Sequence, residues 1–361
     1  MMLHQLEKLV IRQEPLSEQQ AQAMVEYLCH GNREIRLRAA QVLGQLGPHA
    51  APCVPHIIAL LTHTDRYVHF AAIEALCNLE DLVHQYLAQL LELLEHRNWE
   101  VRFDVAEVLG HLQIAEHIPQ LVSLLEDPDT RVRMAVVEAL GKLGRIATTY
   151  IPQVAARQIA ERLDNEDPSI RTSAAWALGN LGEVAKAYIP QIADHLADDD
   201  PAVRSAAVVG LSYLGQEADG QKNIAQLAFL QIVACLQDPD PAVRSTTLNA
   251  LADLGEGTQL FIPPAVGKQI SECLLDAEPS VRAAAVEALG RLGDMTRAHI
   301  AGIAHCLNDD HPAVRTSAIW ALGHLGRWAA AYIPQLRERL DDESWMVRSA
   351  VFDVLDKLAD H

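Results

Sequence analysis

The chain has 361 residues and a formal charge of −19, and its apolar half is mostly Ala, Leu and Val, with aromatic residues only 5% of the total. That charge repels phosphate backbones and disfavours a nucleic-acid groove, and only six of the 29 basic residues are lysines. No run approaches the roughly 18 apolar residues of a membrane span, the first 13 residues are charged rather than signal-like, and the six cysteines lack paired short spacings, so a soluble, reducing, cytoplasmic setting is expected.

Residues 2–13 have the pattern of a short amphipathic helix ended by Pro15, and residues 1–16 are expected to form an N-terminal cap on the rest of the chain. Ser17 with Gln20 has the form of a capping box, opening a helix that runs to Leu28 and Cys29. From there the chain repeats itself. A Val or Ile followed by Arg or His anchors ten units, at Ile35, Val68, Val101, Val132, Ile170, Val203, Val243, Val281, Val314 and Val347, in steps of 31 to 40 residues. Each anchor has a Leu seven residues before it and two more eight and eleven residues after it, as in Leu196, Val203, Leu211 and Leu214. Such a period signals a solenoid, in which each unit buries its apolar face against its neighbours. Stacked units share a core, so residues 17–361 are expected to form one continuous domain.

Each unit reads as helix A, a turn, and helix B. With the anchor at position 0, the apolar positions 0, +4, +8 and +11 share one face of helix B. Asp167-Pro168, Asp200-Pro201, Asp240-Pro241, Glu278-Pro279 and His311-Pro312 place Pro at the first helical position, usually behind an acidic N-cap. A Gly often follows the +8 Leu (Gly44, Gly110, Gly179), where it permits close helix approach, and a second follows the +11 Leu (Gly47, Gly144, Gly182, Gly215), where it suits a C-cap. Residues 152–169 and 263–280 lengthen helix A, and Gln216 to Asn223 enlarges a connection. Residues 172–192 recur at 316–336, with Trp176 matched by Trp320, which implies a duplicated block of four units.

The unit Asp-Pro-x-Val-Arg-x-x-Ala-x-x-Ala-Leu-Gly-x-Leu-Gly resembles the HEAT repeat, in the short prokaryotic form called phycobilisome-lyase-like. The resemblance covers residues 17–358 and implies an all-α fold, a right-handed, armadillo-like α-solenoid of about ten repeats with the B helices on its concave side. It also implies that the Arg after each anchor ladders with acidic residues near the A–B turns, such as Asp65, Asp129, Asp167, Asp200 and Asp240. Proteins with this repeat include scaffolds, bilin lyases and a di-iron hydroxylase that carries His-Glu pairs just after the Arg. None of the corresponding pairs here, from Leu37-Arg38 to Ser349-Ala350, is His-Glu.

Function is sought where the repeats differ. At +2, on the solvent side of helix B, the first four units carry Leu37, Phe70, Phe103 and Met134, and the other six carry only Thr, Ser or Ala. Large apolar residues on adjacent rungs form a patch of the kind that binds partners. Beside them at +6 stand Gln41, Glu74, Glu107 and Glu138, an acidic border suited to a protein segment with apolar anchors and basic flanks. Trp176 and Trp320 occupy +6 in later units and are further anchor candidates. Trp99, Trp328 and Trp345 lie at turns and read as edge packing. His30, His63 and His96 share the −5 position, but rungs about 8–10 Å apart hold ligands too far apart for one metal, so they read as polar turn residues. Cys235, Cys273 and Cys306 read as buried thiols. The expected protein is a non-catalytic scaffold without cofactor or metal that docks a partner protein on its B-helix surface. A bilin-lyase-like maturation factor holding a cofactor-bearing protein there is the alternative.

Overall fold

The computed structural model describes residues 16–112, 118–144, 150–216, 222–258 and 263–359, and every element in it is helical. The helix expected over residues 2–13 lies outside the described residues. Contacts divide the chain into two compact units, residues 1–158 and 159–361. The first contains α1 (Glu18–Leu28), α2 (Arg33–Leu46), α3 (Val54–Leu60), α4 (Arg66–Asn78), the single turn α5 (Glu80–Val83), α6 (Leu87–Leu93), α7 (Trp99–His111), α8 (Ile118–Ser123) and α9 (Thr130–Gly144). The boundary falls inside α10 (Tyr150–Ala160). The second contains α11 (Pro168–Asn180), α12 (Ile189–Asp194), α13 (Pro201–Gln216), α14 (Lys222–Ile232), α15 (Pro241–Thr258), α16 (Pro264–Glu272), α17 (Pro279–Arg291), α18 (Ile300–His305), α19 (Pro312–Leu325), α20 (Ile333–Glu338) and α21 (Trp345–Ala359). Each unit is an all-α solenoid, with B helices α2, α4, α7 and α9 in the first and α11, α13, α15, α17, α19 and α21 in the second.

The helix starts follow from local chemistry. Ser17 and Gln20 close the expected capping box. The side chains of Asn32, Asp65, Asn98 and Asp167 each accept the N–H two residues on, at 2.8–3.1 Å, and so satisfy one orphan donor of a B helix. Asp129, Asp200 and Asp240 do the same at 2.7–2.9 Å. Glu278 does not. His311 takes the role with its Nδ1, 3.3 Å from the Ala313 nitrogen.

The buried surface of helix B is wider than the four-position stripe. Position +4 is buried in every unit, as is +11, and +5 is buried from Ala40 through Ile319. The reason is that neighbouring B helices pack directly on one another, α2 on α4 and α11 on α13 among them. Thr247 takes a buried +4 position because its hydroxyl donates to the Val243 carbonyl at 2.8 Å.

The glycine after the +8 Leu permits that contact. A Cβ on Gly179 would lie 2.6 Å from Gly210 Cα, and one on Gly110 would lie 2.7 Å from Ala139 Cα, closer than carbon atoms approach. The second glycine behaves less uniformly. Gly182 has φ +59 at the end of its helix, as a C-cap requires, but Gly215, expected in the same role, is buried inside α13, which continues to Gln216.

Gly179→Ala is expected to cost about 1–3 kcal/mol through backbone overpacking. Gly31→Ala, with nothing within 4 Å of the new Cβ, should change stability by less than about 0.5 kcal/mol. Urea unfolding of the two variants checks the contrast, and equal effects would refute it.

Candidate partner-binding surface

One interaction ties rung to rung. In the second unit the Arg at +1 of every rung but the last donates from Nη1 to the −5 carbonyl of its own turn, and from Nε and Nη2 to both carboxylate oxygens of the −5 Asp of the next rung. Arg204 does so to the Asp198 carbonyl at 2.8 Å and to Asp238 at 2.7 and 2.8 Å. Arg171–Asp198, Arg244–Asp276, Arg282–Asp309 and Arg315–Asp342 repeat it, and Arg102–Asp127 shows it in the first unit. These partners correct the ladder implied by the family resemblance. Asp167, Asp200 and Asp240 sit at −3 and cap their own helices, and so do Asp65 and Asp129. The bridging Asp is two residues earlier, where it also accepts the −3 N–H, as Asp198 does from Asp200 at 2.9 Å.

The −5 histidines of the first unit perform the second of these tasks. The Nδ1 atoms of His30, His63 and His96 accept the N–H of Asn32, Asp65 and Asn98 at 3.0–3.2 Å. Among the described residues no three metal-ligating side chains converge. An imidazole ring offers no carboxylate to the preceding rung, and the ladder changes accordingly. Arg36 lies over the Tyr67 ring at 5.5 Å. At the next rung His69 replaces the Arg; its Nε2 faces the His63 carbonyl at 2.5 Å and its Nδ1 faces Asp104 Oδ2 at 2.7 Å, both side chains buried. Burial pushes the Asp104 carboxyl above its usual range, against the opposing pull of His69.

Above this altered stretch lies the apolar row. Phe70 is 50% exposed and Met134 37%, while Leu37 and Phe103 are half-buried. Their helices α2, α4, α7 and α9 pack in series. Residues at −2 and −1 join the row. The Arg66 guanidinium lies over Phe70 at 5.3 Å and over Trp99 at 5.9 Å, Arg131 covers Trp99 at 3.2 Å, and Trp99 meets Phe103 edge-on at 6.3 Å. Trp99 is thus the hub of the cluster rather than plain edge packing. Sequence reasoning missed Arg66 and Arg131; the available signal was that the first four units lack the Pro that five of the six later units carry at −2.

On the +6 side Glu74 and Glu107 are half-buried and both push the Cys77 thiol upward, second to its own burial, to about 11. Exposed Glu138 is engaged by Lys142 at 3.0 Å. Trp176 and Trp320 belong to the second unit, on the non-adjacent helices α11 and α19. Trp176 is half-buried, and its Nε1 meets no acceptor among the described residues. Trp320 lines an open cavity of about 290 Å³ with Glu287, Arg291, Ser317 and His324, and Lys357 lies 5.2 Å from its ring. Cys235, Cys273 and Cys306 are buried, which pushes each thiol to about 11.

Comparison with known proteins decides the family. The model for HEAT repeats matches residues 21–94, 87–157, 228–299 and 267–356. The chain belongs to the HEAT-repeat family. A model for the non-SMC mitotic condensation complex subunit 1 also matches residues 180–262, and no curated protein matches. Solved HEAT solenoids share the fold at low identity. Kap95p, from its complex with RanGDP, superposes with a TM-score of 0.65 at 14% identity over 94% of this chain and 51% of its own. Importin beta gives 0.62 at 15% over 93% and 51%, and Kap121p bound to Nup53p gives 0.61 at 16% over 95% and 42%. The chain therefore spans about half the length of these proteins or less. No helix among the described residues is long and apolar enough to cross a membrane.

The HEAT ladder sets an acid limit. Partial burial alone would raise the Asp198 carboxyl, but hydrogen bonds from Arg171 and the Asp200 N–H outweigh it and hold the group at about 2. Asp276, Asp309 and Asp342 are lowered in the same way. A carboxylate whose folded pKa is depressed adds stability above its unfolded value, about 3.9, and that stability disappears as pH falls through the folded value. The melting temperature should hold down to about pH 4 and fall steeply toward about pH 2, and Asp198→Asn should make that limb shallower. Circular dichroism melts across this range test it; a flat profile would count against the ladder.

Proposed function

We propose that this protein is a non-catalytic binding scaffold that docks a partner protein on the B-helix surface of its first four repeats, the concave side implied by the family. The observation that carries the reading is the half-exposed Phe70, held under Arg66 in a cluster with Trp99 and Phe103. Half-exposed aromatic residues on adjacent rungs contribute little to the internal core, whereas Trp, Phe and Arg are the residue types that anchor interfaces. Leu37 and Met134 extend the row at its two ends. Glu74 and Glu107 border it and favour basic flanks on the partner segment; Glu138, already paired with Lys142, contributes less. Trp176 and Trp320 are second-rank anchors, Trp320 the better placed because it opens onto a cavity. The solved neighbours that carry protein partners, such as Kap121p with Nup53p, agree with a scaffold role.

Affinity capture with the intact protein from its source organism, followed by mass spectrometry, identifies the partner. Phe70→Ser with Phe103→Ser should then weaken the purified complex by about 2 kcal/mol or more, roughly thirty-fold. Because Phe103 packs on Trp99, melting curves must accompany the titration, and Phe70→Ser alone keeps the internal contact intact. Unchanged affinity in the folded double variant refutes the docking surface.

A further inference from the structure

We infer that two copies of this chain associate through α21, the two helices packing antiparallel about Phe352. This surface lies in the second unit and is independent of the docking site proposed above. The starting observation is a broken pattern. Every other B helix buries its +5 side chain, from Ala40 to Ile319, but Phe352, at +5 of α21, is 66% exposed. Trp345, seven residues earlier on the same stripe, is exposed as well.

The ladder is also open here. Arg171, Arg204, Arg244, Arg282 and Arg315 each place Nε and Nη2 on a carboxylate of the next rung. Arg348 keeps only the half within its own rung, with Nη1 donating to the carbonyls of Asp342 at 2.6 Å and Glu343 at 3.0 Å. No carboxylate among the described residues meets its Nε and Nη2. The face therefore presents an apolar ring next to a guanidinium fork that elsewhere binds an aspartate.

A neutral helix face like those stacked inside the solenoid does not match this one. At +9, where Gly179, Gly290 and Gly323 let the next helix into direct contact, α21 carries Asp356, exposed and charged. Burying that carboxylate against a helix without a cation is costly. The occupant must bring an apolar group for Phe352, an anion for Arg348 and a cation for Asp356.

The α21 helix itself meets all three demands. Arg348, Phe352 and Asp356 follow one another at four-residue intervals, about 6 Å apart along the axis, and so form one ridge of the helix surface. A two-fold axis at Phe352 sets Phe352 against Phe352 and Arg348 against the second copy's Asp356, at both ends. Ridges of this spacing lie side by side when helices cross at about −50°, the commonest packing class. An isologous contact of this kind closes on itself as a dimer. One helix from each copy places it at the small end of interfaces, so the association is weak, in the micromolar range or above.

Sedimentation velocity of the full chain, over a roughly hundred-fold concentration range around the micromolar regime, tests this. The wild type should shift from monomer to dimer, and higher salt should weaken the shift. Phe352→Ser and Asp356→Arg should each weaken self-association at least about tenfold, the second by setting Arg against Arg348 at both ends. Both side chains are exposed, so melting temperatures should stay at the wild-type value and rule out misfolding. A wild type that remains monomeric throughout overturns the inference, as does a variant that dimerises with wild-type affinity. A dimer lost in Phe70→Ser but kept in Phe352→Ser would place self-association on the other surface and overturn it too.

Discussion

The arginine at +1 is the residue on which the stacking of the described rungs depends most. It is always charged and presents donors in a fixed fork, and this protein uses both sides of the fork. One nitrogen holds the carbonyl of its own A–B turn, while two others hold the carboxylate of the next turn. That same carboxylate accepts the backbone N–H that leads into the next helix. Rung stacking and turn geometry are therefore joined in one network. Removing either partner strands a partly buried charge beside an unsupported turn.

The first unit departs from this network in a graded way. Histidine at −5 keeps the local hydrogen bond of the turn but gives up the carboxylate, so the preceding rung loses its ionic partner. Arg36 turns to an aromatic face, and at the next rung His69 and Asp104 stand where the Arg–Asp pair stands elsewhere. With Nε2 of His69 at a carbonyl and Nδ1 at a carboxylate, both nitrogens face acceptors. His69 therefore reaches both its own turn and the next rung, as the arginines do elsewhere, with a weaker and shorter link. The aromatic cluster thus starts on the rungs where the standard ladder is absent and reaches to the Arg102–Asp127 pair, where it resumes.

The periodicity was legible in full, because an anchor with three leucines in register is a direct imprint of helix packing. The helix starts were legible too, since Asp167 and Ser17 have one job each at their positions. The ladder partner was not. Asp198 and Asp200 are both acidic residues in the same turn, and only their reach across to the neighbouring rung separates the bridging residue from the cap. The fate of Gly215 was hidden for a similar reason: a glycine after +11 suits either a helix end or a helix that runs on. Of the candidate surface, the +2 row could be read because it breaks a rule kept by six other units. Arg66, Trp99 and Arg131 could not be placed with it, because they stand at the start of helix B, where sequence variation is ordinarily read as turn chemistry.

Packing constrains the interior rows of a solenoid and leaves the outer rows free, so an outer row carries information in proportion to what it costs. A half-exposed phenylalanine contributes little to folding. Its ring lies under the Arg66 guanidinium, and both Arg66 and Arg131 lie over the neighbouring Trp99. Side chains ordered before contact lose less entropy on docking. Rings packed in this way present a large contact area, whereas the Thr, Ser and Ala residues at +2 of the second unit offer little area to hold. The proposal that the N-terminal rungs form the docking face therefore rests less on their apolarity than on the arginines over their rings.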